Sequence, residues 1–287
     1  MADLREIDQL FDRLIASPRE HACASPQYRA LATERAAAFR ASALADTVPR
    51  PVQFGPFGAL TLPYRRMGAI DSIDLFGLDE LIIFAFYRAN RARYRRTVDI
   101  GANIGLHSIL MARCGFAVRA FEPDPVHLEI LRANLKLNDV AGVEVIEAAV
   151  SDRDGATEFV RVKGNTTGSH LAGAKANPYG ALDRFSVAVR NFADAVTGAD
   201  FVKIDAEGHE AVILRSLPAK RWQSLDAMVE VGTAENARAL FDHFQALRVS
   251  LFAQKIGWGR VHGIEDMPTS HREGSLFVSA KSQMPWS

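Results

Sequence analysis

Apolar residues open the chain at helical spacing: Leu4, Ile7, Leu10, Phe11, Leu14 and Ile15 repeat every three or four positions, as one buried helix face does. Ser17-Pro18 breaks that rhythm, and a second helix, rich in Ala and Arg, is expected over 26–44. Pro49, Pro51 and Pro56, with Gly55 and Gly58, mark a loop or short hairpin over 52–63, and a third helix is expected over 78–93. Strand and helix patterns then alternate. Strands are expected over 97–100, 117–121, 143–148, 201–204, 227–231, 249–254 and 276–280, with helices over 105–114 and 125–138. A polar, glycine-rich stretch over 152–184 interrupts this order, flanked by short antiparallel strands over 157–162 and 186–189.

That alternation predicts an α/β fold: a doubly wound, mostly parallel sheet of seven strands, with crossover helices on its faces. The expected organisation is an N-terminal helical extension over 1–95 and an α/β domain over 96–287. Composition agrees with a globular protein, 48% hydrophobic and 24% charged. The 34 basic residues balance 34 acidic ones, which argues against a polyanionic partner such as nucleic acid. Cys23 and Cys114 lack metal-ligand spacing and read as unpaired thiols. The longest apolar run, Leu81 to Tyr87, is too short to span a bilayer, so a cytoplasmic protein without membrane association is expected.

The chemistry gathers at the expected strand ends. In Val98-Asp99-Ile100-Gly101-Ala102-Asn103-Ile104-Gly105 an apolar strand ends in an acid, turns through glycine and opens a helix. Such a turn brings backbone N–H groups close to a ligand. Its spacing is not the G-x-G-x-x-G that admits a pyrophosphate. A carboxylate at Asp99 would repel a pyrophosphate and suit the ammonium or sulfonium half of S-adenosylmethionine. Glu122, in Phe121-Glu122-Pro123-Asp124, follows about 20 residues later, where nucleotide-binding α/β proteins place an acid for the ribose hydroxyls. The third strand ends in Ala148-Ala149-Val150-Ser151-Asp152, which would meet an adenine through Ala149 and Ser151. The fourth is Val202-Lys203-Ile204-Asp205-Ala206-Glu207-Gly208-His209-Glu210, whose acids and histidine would face the same crevice.

These strings resemble the FkbM family of methyltransferases: VDIGANIG, AFEPDP, AAVSDRDG, the GNTTGSH loop, and FVKIDAEGHE preceded by VAVRNFADAV. The resemblance runs over roughly 97–280 and leaves the first ninety residues uncovered. It implies a Rossmann-like methyltransferase domain, S-adenosylmethionine as cofactor, and O-methylation of a sugar, glycan or natural-product hydroxyl. It carries Asp99, Gly101, Asn103 and Glu122 over as cofactor contacts, with Asp205 and Glu207 bordering the active site. The turn neighbours Ala102 and Gly105, with Pro123, Ala149, Ser151 and Asp205, complete the expected cofactor site.

Methylating an alcohol requires a proton acceptor beside the nucleophilic oxygen. Asp205, His209 and Glu230 are the candidates, Glu230 because it closes the strand over 227–231. Asp205, Glu207 and Glu230 would also suit Mg²⁺, but acids at a helix start are accounted for by its dipole, and no metal is assigned. Three further expectations follow. The GNTTGSH loop is either a lid or an ordinary surface loop. Arg88, Arg91 and Arg95 would share a helical face, solvated or anion-binding. The N-terminal apolar stripe packs on its own core or supports a homodimer. The competing functions are an RNA or protein methyltransferase and a non-catalytic scaffold that retains the cofactor fold.

Overall fold

The computed structural model describes residues 7–163, 168–174 and 180–286. Two helices come first, α1 (Ile7–Ala16) and α2 (Pro26–Arg40), followed by a two-stranded hairpin of β1 (Val52–Gln53) and β2 (Ala59–Leu60), then α3 (Leu78–Ala89). Helix α2 starts where Pro26 follows Ser25, whose hydroxyl accepts the Tyr28 N–H, satisfying a free donor of the first turn. The middle of α3, Leu81 to Tyr87, is apolar on all sides and buried, as befits a helix enclosed between a sheet and other helices. It stops at Ala89 because the Asn90 side chain turns back on the Phe86 carbonyl (3.0 Å) and also reaches that of Pro285 (2.8 Å). The helix expected to 93 is therefore shorter. Arg91 and Arg95 lie beyond its end, and the shared arginine face does not form; Arg88 pairs with Asp12 at 2.8 Å.

Beyond α3 come β3 (Arg96–Ile100), α4 (Leu106–Arg113), β4 (Ala117–Phe121), α5 (Pro125–Leu137) and β5 (Val143–Ile146). Next are β6 (Ala149–Ser151), β7 (Gly155–Val162), β8 (His170–Leu171) and β9 (Leu182–Asn191), then α6 (Phe192–Ala195), β10 (Phe201–Ile204) and α7 (Glu210–Arg215). The chain finishes with β11 (Asp226–Glu230), α8 (Ala234–Leu247), β12 (Ser250–Ala253), β13 (Gly259–Arg260) and β14 (Ser275–Ser279).

The main sheet has the order β13-β12-β14-β11-β10-β3-β4-β5. Strands β11, β10, β3, β4 and β5 run parallel, in register at Val98, Val202 and Ala227, while β14 pairs antiparallel with both β11 and β12, and β13 pairs antiparallel with β12. The two-residue β13 brings the count to eight. The expected third strand over 143–148 divides in two: the Ala148 N–H bonds the Ile146 carbonyl at 3.0 Å, and the chain leaves the main sheet. It enters a second sheet, β6-β9-β7-β8, in which β7 and β9 pair over eight positions.

The N-terminal stripe is consumed within the chain. Ile7, Leu10, Phe11 and Leu14 join α3, α4 and one face of the main sheet in a single core, and Leu4 lies outside the described residues. The opposite face packs against α7, α8 and the Trp222 segment. Among the described residues no helix is long and apolar enough to cross a membrane.

Candidate active site

The parallel strands β3, β4, β10 and β11 end on the same edge, and the turn after β3 sits at its centre. Gly101 has φ +75°, and a methyl group there would stand 1.9 Å from the Asp205 carbonyl oxygen. The close approach that this glycine permits is to the chain's own loop after β10, which it locks beneath the turn. Gly105 (φ +87°) meets Leu131, where a methyl group would lie 2.9 Å from the Leu131 Cγ. Its role is therefore to seat α4 on α5, and it does not line the cavity beside the turn. Asp99 also differs from expectation: it is fully buried beneath the turn, accepting the Ser108 hydroxyl at 2.6 Å, with the Lys203 ammonium 4.0 Å away.

What the turn presents is the cavity between β3, β4 and the second sheet. Its wall contains Gly101, Asn103, Glu122, Pro123, Ala149 and Asp205, closed by Phe159 and Leu171 from β7 and β8. Glu122 is held at both oxygens, by the Asn103 N–H at 2.7 Å and the Asp124 N–H at 2.8 Å. Burial nevertheless outweighs those two donors and pushes its carboxyl up to about 8. Ala102 faces the neighbouring space under the turn. Asn103 adopts φ 51°, and its side-chain oxygen is buried with no hydrogen-bond partner. An orphaned acceptor is costly to bury unless a ligand donor meets it, so the residues present fit a nucleoside with donor groups.

Ser151 lies outside this wall. Its hydroxyl donates to Asp152 at 3.0 Å and stands 2.8 Å from His209 Nε2. With the hydroxyl proton given to Asp152, His209 donates its own Nε2–H to Ser151, and burial holds the imidazole below its ordinary pKa. His209 thus ties the loop after β10 to the second sheet. Glu210 closes the same loop from below, accepting the Ala206 and Gly208 N–H groups at 3.0 Å and the Asn236 amide at 2.7 Å. Of the GNTTGSH loop, Ser169 and His170 border the cavity, and residues 164–167 lie outside the described residues.

Asp205 and Glu230 meet on the other side of the turn, around a lysine that motif reading passed over. Lys203 is 7% exposed, and its ammonium lies 3.4 Å from Asp205 Oδ2. Burial would lower its pKa, but Asp205, then Asp99, Glu80 and Glu230, outweigh burial and raise it, so it stays cationic. Glu230 is pushed well above its ordinary value, first by the Asp205 charge and then by burial. Glu230 and Lys203 line a cavity of about 210 Å³ with Asp79, Glu80, Met228 and His271. That is smaller than a typical drug-sized site and suits one ring. Among the described residues no group of three His, Cys, Asp or Glu side chains could hold a metal ion.

A buried lysine inside an otherwise apolar strand was a signal available in the sequence. Glu80 carried none, because it reaches the site from α3, outside every motif. His107 stands between the Tyr87 hydroxyl and Glu80, 2.9 Å from each.

Sheet order and strand-end acids together define a Rossmann-like methyltransferase domain. Residues 99–253 match the model of the methyltransferase FkbM domain, and the chain belongs to that family. It is similar to Methyltransferase sdnD of Sordaria araneosa (28% identity, 44% of this chain and 61% of that protein). It is also similar to Methyltransferase 1 of Beauveria bassiana (26% identity, 46% of this chain and 62% of that protein). The chain thus spans about three-fifths of the length of these relatives. Among solved structures it is similar to the METTL16 methyltransferase domain (TM-score 0.44, 13% identity, 78% of this chain and 74% of that one). A second is an O-methyltransferase from Bacillus cereus (TM-score 0.36, 13% identity, 68% and 78%).

Proposed function

We propose that the protein is an S-adenosylmethionine-dependent O-methyltransferase acting on a hydroxyl of a sugar, glycan or natural-product small molecule. The observation that carries this reading is Glu122 at the end of β4. Two backbone N–H groups fix its carboxylate on the wall of a cavity closed by the apolar side chains of Phe159 and Leu171. A carboxylate for ribose hydroxyls beside an apolar bed for a base is what an adenosine requires.

When bound, S-adenosylmethionine supplies an electrophilic methyl group. Glu122, held by the Asn103 N–H, binds the nucleoside, and Asp205 and Asn103 border both this cavity and the space under the turn. The cavity of Lys203 and Glu230 takes the acceptor. The Asp205 charge and burial keep a proton on Glu230. Asp205 receives the acceptor's hydroxyl proton at a carboxylate oxygen, with the Lys203 ammonium 3.4 Å away. His209, engaged with Ser151, serves the loop rather than the proton transfer. The acceptor hydroxyl binds without Mg²⁺, since Lys203 already supplies the local positive charge.

The test is incubation with methyl-labelled S-adenosylmethionine and fractionated small-molecule extracts. Label in small molecules that survives mild alkali marks an ether and supports the reading. Label recovered only in RNA or protein would replace it with the macromolecular alternative.

A further inference from the structure

A second, smaller cavity lies beneath the glycine turn, sharing Gly101, Asn103 and Asp205 with the adenosine cavity and lined also by Glu80, His107 and Lys203. A ligand whose ribose is held at Glu122 continues past Gly101 into this space. The chemistry waiting there is that of an ammonium site. The Asn103 side-chain oxygen is a buried acceptor with no partner, and Glu80 presents a carboxylate fixed from behind.

The fixing is a chain of three groups. Tyr87 is fully buried, and its hydroxyl shares a hydrogen bond of 2.9 Å with His107 Nδ1. The other ring nitrogen, Nε2, stands 2.9 Å from Glu80 Oε2. Burial would raise the Glu80 pKa, yet His107 and, more weakly, Lys203 outweigh burial and lower it. The carboxylate is therefore both oriented and ionised before any ligand arrives. Lys203, already 3.4 Å from Asp205, prevents this group of acids from being uniformly negative.

We infer that Glu80, held by His107 and Tyr87, receives the α-ammonium of the cofactor's amino-acid end, with the Asn103 side-chain oxygen as the second acceptor. This rests on S-adenosylmethionine being the cofactor. It places a cofactor contact on α3, ahead of the segment 99–253 that matches the family model. The N-terminal helices thus complete the binding site as well as packing on the sheet.

Two nucleosides separate this contact from the rest of the site. S-adenosylhomocysteine carries the amino-acid end; 5′-methylthioadenosine keeps the adenosine and lacks it. Calorimetric titration of wild type, Glu80→Gln and Tyr87→Phe with both ligands reads the contact directly. A charge-assisted hydrogen bond to a desolvated carboxylate contributes roughly 1.5–3 kcal/mol. Glu80→Gln should therefore weaken S-adenosylhomocysteine about 10- to 100-fold. Its affinity for 5′-methylthioadenosine should stay within about twofold of wild type, which also reports an intact fold. Tyr87→Phe should weaken only S-adenosylhomocysteine, by a smaller factor. Equal S-adenosylhomocysteine affinity in wild type and Glu80→Gln, or equal losses for both ligands, would overturn the inference. Failure of wild type to bind either nucleoside would instead overturn the cofactor reading on which it rests.

Discussion

The carbonyl oxygen of Asp205 occupies the place where Gly101 would carry a side chain: a methyl group on Gly101 would lie 1.9 Å from it. The turn after β3 and the loop after β10 are thereby fitted together, and the Asp205 N–H reinforces the contact by donating to the Ile100 carbonyl at 3.1 Å. Any side chain at 101 must push the two strand ends apart in addition to adopting φ +75°. Left-handed strain contributes about 1–2 kcal/mol and overpacking a further 1–3. Gly101→Ala should thus lower stability by roughly 2–5 kcal/mol in urea denaturation, and nucleoside binding should go with it. A variant as stable as wild type would mean that the turn and the loop are not in contact.

Glu122 should make ligand binding in the cavity between β3, β4 and the second sheet sensitive to pH. Its carboxyl titrates at about 8, while ribose hydroxyls donate best to the ionised form. Affinity for 5′-methylthioadenosine, which does not itself titrate near neutrality, should fall as pH drops below about 8, by at most tenfold per unit. Glu122→Gln should flatten the profile, and a flat wild-type profile between pH 6 and 9 would refute the assignment. Stability has the opposite slope. The folded-state pKa lies above the unfolded one, so the native state binds more protons between about 4.5 and 8. Stability is lost as pH rises through that window, and Glu122→Gln should melt higher than wild type at pH 8.5.

The second sheet is tied to the turn after β4 by Arg161. Its guanidinium grips Asp124 at both oxygens, at 2.7 and 2.5 Å, and lies 4.7 Å from the centre of the Phe185 ring. Asp124 is 1% exposed and also caps α5 by accepting the Val126 N–H. Arg161→Met would strand a buried carboxylate, at a cost of about 3–5 kcal/mol. The expected result is a much lower urea midpoint together with weaker 5′-methylthioadenosine binding. A change under about 1 kcal/mol would show that water satisfies Asp124 instead.

Metal removal gives a prediction of no effect. The Lys203 ammonium already stands against Asp205. Exhaustive treatment with EDTA should leave S-adenosylmethionine affinity unchanged and added Mg²⁺ should not increase it, both read by calorimetry. Affinity restored only by Mg²⁺ after chelation would return Asp205, Glu207 and Glu230 to the role of ligands.

Much of the main sheet was legible because strand and crossover helix differ sharply in period. The strand over 117–121 was read at its observed bounds, and β3 and β14 shifted by one residue. The division of the third strand was not legible, since it depends on a single backbone bond between Ala148 and Ile146 and on β9 pairing β6 in another sheet. The direction of β14 was equally hidden, because an apolar strand pattern carries no sign. That Glu122 and Asp205 line one cavity was legible from their positions at strand ends. Asp99 was misplaced because its partner, Ser108, becomes a neighbour only when α4 folds back over β3. Glu80 and His107 come together across α3 and α4, a meeting that no local motif records.

The most direct measurement is calorimetric titration of the purified protein with S-adenosylmethionine, beside NAD under the same conditions. One saturable site for S-adenosylmethionine and no heat from NAD are expected, with the site weakened in Glu122→Ala. A folded protein that ignores S-adenosylmethionine at millimolar concentration, or binds NAD in its place, would contradict the proposed cofactor.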